Sequence, residues 1–192
     1  MGTRGLLAFI IRGRKKGTYN HSDSYPEGLG KKLVSFIKSL NSAQIQQMIE
    51  NLEKIEWVKM NDPVPQDLAN RYAAAGFTDR NLGRFDDWYT TLRWVQDGGC
   101  LQAILEGTLS HLIDYTNFEN DRTFCEWIYV LDWEKRELEV VDHYHGIVRE
   151  KRSFAEVSEE WMDVMQKKVY DPQVDEDGND LGEDIDRGSG SD

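Results

Sequence analysis

The stretch RGLLAFIIRGRKKGTYN, from Arg4 to Asn20, decides the fold because it contains two strand patterns and the turn between them. Arg4–Ile11 is apolar on both alternating faces, which is typical of a central strand in a sheet. The segment RGRKKG predicts a turn with exposed cations, and Lys16 to Asn20 can return as a second strand. The sequence therefore predicts an N-terminal hairpin whose first strand lies inside a sheet.

A second hairpin is predicted more than a hundred residues later. FCEWIYVLD, residues 124–132, alternates and is rich in aromatic and β-branched residues, and the polar turn WEKRE leads to LEVVD, residues 138–142. Either hairpin alone would be marginally stable, so the simplest arrangement places both in one mostly antiparallel sheet. With helices covering that sheet, the predicted fold class is α+β.

Helical spacing of apolar residues fills most of the chain between and after the hairpins. The predicted helices cover about 27–40, a segment capped by Ser42 and running to about residue 55, a short helix ended by Gly76, residues 85–95, residues 101–113, and a last helix opened by Ser153 and Glu156. Ser24 and Glu27 have the spacing of a capping box before the first of these helices. Gly107 interrupts the pattern of the fifth.

The uneven distribution of charge predicts a single globular domain, residues 1–170, followed by an acidic tail, residues 171–192. The chain of 192 residues has a net charge of −12, and the tail holds nine acids and one arginine. The tail has almost no apolar content, which predicts disorder. Its partial calcium-loop register lacks the first ligand and a following helix, so a solvated tail is the better interpretation.

Composition favours a cytoplasmic protein that binds neither nucleic acid nor membranes. The body of the chain has no large basic excess for a phosphate backbone. No apolar run approaches the roughly 20 residues that span a bilayer. Only two cysteines occur, Cys100 and Cys125, and buried reduced thiols are the favoured interpretation over a disulfide. No cofactor and no metal are predicted.

The main candidate site lies in YNHSDSYPEGLG, Tyr19 to Gly30, where a strand gives way to a helix. Helix capping explains Ser24, Pro26 and Glu27 but leaves the polar residues at the strand end unexplained. The predicted catalytic group is His21 as general base, Asp23 to orient its imidazole and Arg4 to hold an anion. The predicted ligand-binding residues beside them are Asn20, Tyr25, His143 and His145.

Two further groups admit a functional and a structural interpretation. His143 and His145 are two residues apart, so on a strand they would face the same way and make half a metal site, although exposed histidines at a strand end are the simpler explanation. Cys125 would be a nucleophile only if it were exposed beside a base, whereas a thiol facing the core is inert.

The motifs MGTRGL, YNHSDSYPEGLG and FCEWIYVLDWEKRELEV resemble a scattered family of small uncharacterised microbial and fungal proteins, over most of the chain to about Tyr170. That resemblance implies no activity and transfers no catalytic residue. MGTRGL is also similar to the start of N-terminal-nucleophile hydrolases of the choloylglycine and penicillin-acylase type, and that similarity implies a related sandwich fold. Thr3 and Arg4 match the hydrolase pattern, but Gly2 stands where those enzymes have their nucleophile.

Two functions from different classes follow from these patterns. One is a small polar-ligand-binding protein or hydrolase, with its site at the end of the N-terminal hairpin. The other is a non-enzymatic intracellular interaction domain whose acidic tail binds basic partners. Convergence of Arg4, His21, Asp23 and the two later histidines on one concavity would favour the first.

Overall fold

The computed structural model of the protein describes residues 2–79, 87–96 and 98–170. The strands in this part of the chain are β1 Gly5–Ile11, β2 Arg14–Asn20, β3 Glu56–Val58, β4 His111–Ile113, β5 Trp127–Asp132, β6 Glu137–Asp142 and β7 Arg149–Ser153. The α-helices are α1 Lys31–Ser39, α2 Ser42–Leu52, α3 Gln66–Ala74, α4 Trp88–Thr91, α5 Cys100–Leu105 and α6 Glu159–Tyr170. A π-helical turn, Pro26–Gly30, precedes α1, and a 3₁₀ helix covers Thr116–Asn120.

Both predicted hairpins lie in one five-stranded sheet with the strand order β2-β1-β5-β6-β7. β1 is a central strand, and its parallel pairing with β5 joins the two otherwise antiparallel hairpins. The first hairpin turns at Arg12 and Gly13, which both have positive φ, as a tight two-residue turn requires. The predicted α+β class is thus confirmed.

The two faces of this sheet are covered very differently. On the first face, Leu7, Phe9, Tyr129 and Leu131 belong to the large core formed with the helices. The alternate side chains of the same strands point to the second face, where Leu6, Ala8, Cys125 and Ile128 form a small cluster. Tyr115 and Phe118 pack against this cluster. The 3₁₀ helix therefore covers only part of the second face. None of the helices in the described residues is long and apolar enough to cross a membrane.

The predicted fifth helix, residues 101–113, is wrong in its second half. α5 ends at Leu105, and Gly107 follows with a φ of 70°, a left-handed conformation that ends a helix. His111–Ile113 is instead strand β4, which pairs in parallel with β3 as a separate two-stranded sheet. The predicted fourth helix is also shorter, since only Trp88–Thr91 is helical, while Phe85 lies outside the described residues.

Several predicted helix starts also differ. Asn41 caps α2 in place of Ser42, because its side chain accepts the Gln44 N–H and the Gln44 side chain accepts the Asn41 N–H. Ser24 caps no helix: the π-helical turn begins after Tyr25 with no side-chain cap. Ser153 and Glu156 form the predicted side-chain hydrogen bond, but they lie about one turn before the start of α6. The predicted acidic tail lies outside the described residues.

The two histidines after β6 do not lie on a strand. β6 ends at Asp142, whose carboxylate accepts hydrogen bonds from the backbone N–H groups of His145 and Ile147. This bonding folds the chain into a turn, which leads into the unpredicted edge strand β7. His143 and His145 are therefore not held facing the same way by a strand, which was the basis for predicting half a metal site.

Candidate functional site

The end of the N-terminal hairpin brings Arg4 and His21 together. Gly5 pairs with Asn20 as the last residues of the ladder, so Arg4 and His21 are the next residues along their two strands. The ring of Tyr19 lies against the His21 ring, with centroids 6.0 Å apart. Arg4 is close enough for its positive charge to lower the pKa of His21.

A second arginine, Arg93, completes this group from the segment after α4. Its Nη2 lies 3.0 Å from Nε2 of His21. A guanidinium can only donate, so Nε2 accepts and the imidazole is neutral, with its proton on Nδ1. Partial desolvation of the ring lowers the pKa of His21, and the positive charges of Arg93 and Arg4 lower it further.

Neither guanidinium is neutralised by a carboxylate within the described ranges. The Arg4 guanidinium lies over the Phe124 ring, 5.2 Å from its centroid, and Arg93 lies over Tyr89 at the same distance. None of the ion pairs formed by residues 2–79, 87–96 and 98–170 includes either arginine. Glu126 accepts a hydrogen bond from the backbone N–H of Arg4 at 3.2 Å.

Asp23 does not orient His21. Its backbone has a φ of 54°, in the left-handed region, and its carboxylate accepts a hydrogen bond from the Tyr25 hydroxyl at 3.4 Å. In the part of the chain that the structure describes, no hydrogen bond or ion pair joins Asp23 to His21 or to Arg4. The predicted base and its orienting carboxylate are therefore not coupled, and Tyr25 lies with Asp23 rather than with the imidazole.

Asn20 and Ser24 hold the backbone of this stretch rather than face a ligand. Both side chains are buried, and Nδ2 of Asn20 donates to Oγ of Ser24 at 2.6 Å. The Tyr129 hydroxyl donates to the Ser24 carbonyl at 2.8 Å. Gly28 allows the turn to close, because a Cβ there would lie 2.3 Å from the Asp23 carbonyl oxygen. Most of this polar stretch is therefore structural.

Aromatic residues form the wall beside Arg4, His21 and Arg93. The Tyr19 ring packs against Tyr115 and Phe118, with centroid separations of 5.5 and 5.1 Å. Burial raises the pKa of Tyr115 to about 12, so its hydroxyl remains protonated at neutral pH. The groups that define this site are therefore hydrogen-bond donors, a neutral imidazole and aromatic rings, a combination suited to an anion.

His143 and His145 lie in a turn of their own. Nδ1 of His143 is 2.9 Å from the Cys125 carbonyl oxygen, and Nδ1 of His145 is 3.1 Å from the Asp142 carboxylate. No contact among the described residues links either ring to His21. No group of three or more His, Cys, Asp or Glu side chains in these ranges is arranged to hold a metal ion. Cys125 is buried, and burial raises the pKa of its thiol to about 12, so it is not a nucleophile at neutral pH.

A second histidine cluster, around His111 on β4, was not singled out by the sequence. The hydroxyl of Tyr72 lies 2.8 Å from Nδ1 of His111 and 3.0 Å from Oγ of Ser110, and Nη2 of Arg71 donates to Ser110 at 2.8 Å. Trp88 stacks on the imidazole, with centroids 4.6 Å apart. Burial lowers the pKa of His111, while Glu56, 3.4 Å from Nε2, raises it in part.

Arg93 is the site residue that sequence reasoning missed. It is 72 positions from His21, and no local motif marks it.

Comparison with family models, with curated proteins and with solved structures finds no match to this chain. The chemistry of the site therefore rests on its own geometry.

Proposed function

We propose that the protein binds a small anionic polar ligand at the end of its N-terminal hairpin, through Arg4, Arg93 and His21. The observation that carries this proposal is the approach of two guanidinium groups to one neutral imidazole without an ion-paired carboxylate in the described part of the chain. Like charges gathered in this way repel each other, and a bound anion would relieve that repulsion. Guanidinium groups also suit carboxylate and phosphate oxygens, which they bind with two parallel hydrogen bonds.

Binding is a better proposal than hydrolysis because His21 is poorly placed to act as a base. Its Nε2 lone pair accepts a hydrogen bond from Arg93, and Asp23 bonds to Tyr25 instead of the imidazole. A bound anion would draw the Arg93 guanidinium towards itself and favour a protonated His21. Ligand binding should therefore take up a proton and strengthen as the pH falls through the pKa of His21.

The compartment and the partners belong to the same proposal. A cytoplasmic location is supported by the two cysteines, which are buried free thiols. The absence of a large basic excess supports a ligand other than nucleic acid. The alternative, an interaction domain that works through its acidic tail, rests on residues 171–192, which lie outside the described ranges.

Calorimetric titration of the full chain with inorganic phosphate, at low salt and pH 6.5, tests the proposal. Arg93→Ala and Arg4→Ala should each weaken phosphate binding by about tenfold or more, the effect of losing one charge-assisted contact. The matched control is Arg14→Ala, which removes an exposed arginine at the opposite end of β2 and should leave the affinity within about twofold. Equal affinity in all four proteins would contradict the proposal.

A further inference from the structure

An open groove lies on the second face of the five-stranded sheet, on the other side of the 3₁₀ helix from His21. It encloses about 370 Å³. Its floor is apolar and comes from three adjacent strands, with Ile10 on β1, Ile128 and Val130 on β5, and Val141 on β6. A volume of this size suits a small molecule, and an apolar floor favours one with an apolar body.

The rim of this groove, by contrast, is charged. It is formed by Lys15, Glu119, Asn120, Arg122, Glu139, His143 and Arg149. Both carboxylates already have cationic partners: Glu119 pairs with Lys15, and Glu139 accepts from Nε of Arg149 at 2.8 Å. They are therefore unavailable to hold a cationic ligand strongly.

Two rim groups remain available to a ligand. Arg122 is exposed and forms no ion pair with any described residue. Nδ1 of His143 bonds to the Cys125 carbonyl oxygen. Because a carbonyl oxygen can only accept, Nδ1 must carry the proton. With Nδ1 occupied, Nε2 is the nitrogen left to face a ligand, and it donates to an anion when the ring is protonated.

From the apolar floor and this rim, we infer that the groove binds an organic anion with a compact apolar body, of the class of medium-chain carboxylates and aryl sulfonates. The apolar body covers Ile128, Val130 and Val141, and the acidic group faces the Arg122 guanidinium. A small polar anion such as phosphate gains nothing from this floor, which distinguishes the groove from the hairpin-end site.

The two sites are separated by the 3₁₀ helix, Thr116–Asn120. Phe118 packs on Tyr19 beside His21, whereas Glu119 and Asn120 line the groove. Arg93 and His21 take no part in lining the groove, and neither Arg122 nor Val130 contacts His21 among the described residues. Each site can therefore be removed by mutation without removing the other.

The test is a fluorescence titration of the full chain with 8-anilinonaphthalene-1-sulfonate, followed by displacement with octanoate. Bound probe should be displaced by octanoate and not by phosphate. Arg122→Ala should weaken probe binding about tenfold, and Arg122→Lys should restore part of the loss. Val130→Phe, which fills the floor, should abolish binding, while Arg14→Ala and Arg93→Ala should leave it within about twofold.

Thermal melts of each variant separate lost binding from lost folding. If Val130→Phe does not fold, the exposed Arg122 variants still decide the question. Unchanged probe affinity in Arg122→Ala, or a failure of octanoate to displace the probe, would overturn the inference. Loss of probe binding in Arg93→Ala would also overturn it, because the probe would then occupy the hairpin-end site. The phosphate titration stands apart from these results and tests the proposed function alone.

Discussion

Two histidines, His21 and His111, have similar neighbours but different hydrogen-bonding networks. Each ring lies against a tyrosine, at 6.0 Å from Tyr19 and 5.9 Å from Tyr72, and each has a lowered pKa to which a nearby arginine contributes. At His111 the arginine, the tyrosine hydroxyl and a serine hydroxyl bond to one another. At His21 the arginine has the imidazole and the Tyr89 ring as partners, and no carboxylate in the described ranges is ion-paired to it.

This difference is the reason to propose a structural role for the His111 cluster and ligand binding at His21. A polar network whose members satisfy one another gains little from a ligand, and it fixes the packing of α3 against β4. A cluster of cations without a counter-charge is unfavourable by itself and favourable once an anion arrives. Perturbed pKa values alone do not distinguish the two cases, since both histidines have them.

The largest expected effect is the loss of the Tyr72 hydroxyl. Tyr72 is fully buried, and its hydroxyl bonds to the Ser110 N–H as well as to His111. Tyr72→Phe removes these bonds and leaves the half-buried Ser110 N–H without its partner, while His111 keeps the Ser110 hydroxyl, so the free energy of unfolding should fall by roughly 1 to 2 kcal/mol in chemical denaturation. The matched control is Tyr19→Phe, whose hydroxyl has no hydrogen-bond partner among the described residues, and it should change stability by less than about 0.5 kcal/mol.

Equal losses in these two variants would contradict the distinction between the clusters. A loss confined to Tyr19→Phe would reverse it, because the hairpin end would then be the part of the protein that depends on its hydroxyl. Denaturation at pH 7.5 keeps both histidines neutral, so that protonation does not enter the comparison.

The pH dependence of stability gives a smaller effect. The pKa of His111 is lower in the folded state than its ordinary value near 6.5, so the unfolded chain takes up the proton first. The stability from neutral His111 is therefore present above about pH 6.5 and is lost as the pH falls below it. His111→Gln should reduce the loss of unfolding free energy between pH 7.5 and pH 5.5, measured by denaturation at each pH.

His21→Gln is the matched variant for this pH series. His21 is exposed, whereas only 11% of the His111 side chain is accessible. His21→Gln should therefore reduce the loss of unfolding free energy between pH 7.5 and pH 5.5 by less than His111→Gln does. A larger effect at His21 than at His111 would mean that the exposed cluster contributes more to folding than the buried one. Losses that begin only below about pH 4.5 would instead indicate carboxylates, among which Asp114 and Glu150 have lowered pKa values.

The smallest expected effect is at Asp23. Asparagine tolerates the left-handed backbone at this position, so Asp23→Asn should change stability by less than about 0.5 kcal/mol. Phosphate affinity should stay within about twofold, because the Asp23 carboxylate bonds to Tyr25 and not to His21. A large fall in affinity would restore Asp23 to the role that the sequence suggested.

Local patterns predicted the sheet, whereas long-range pairing decided the parts that were missed. The apolar run of β1 must be buried on both faces, the turn after it returns the chain as β2, and the alternating pattern of β5 and β6 buries one face more than the other. Leu109, Leu112 and Ile113 have helical spacing, yet His111–Ile113 is a strand because β3 is there to pair with it. A three-residue strand has no pattern of its own to detect.

The candidate site was likewise predictable where it depends on local sequence and not where it depends on distant segments. The hairpin register brings Arg4 and His21 together, and a hairpin can be read from sequence. Asp23 was assigned to the same group because it is two residues away, but a left-handed residue turns the chain and directs its side chain to Tyr25. Arg93 comes from a distant segment, so only the folded chain places it against His21.

The most direct test of the hairpin-end site is an NMR titration of the His21 imidazole in the wild type, in Arg93→Ala and in the wild type with inorganic phosphate. The pKa of His21 should lie below 6.5 in the wild type and rise in Arg93→Ala, because a neighbouring positive charge has been removed. Phosphate should raise the pKa of the wild type and have a much smaller effect on the variant. A pKa of His21 that neither Arg93→Ala nor phosphate changes would contradict an anion site built from these residues.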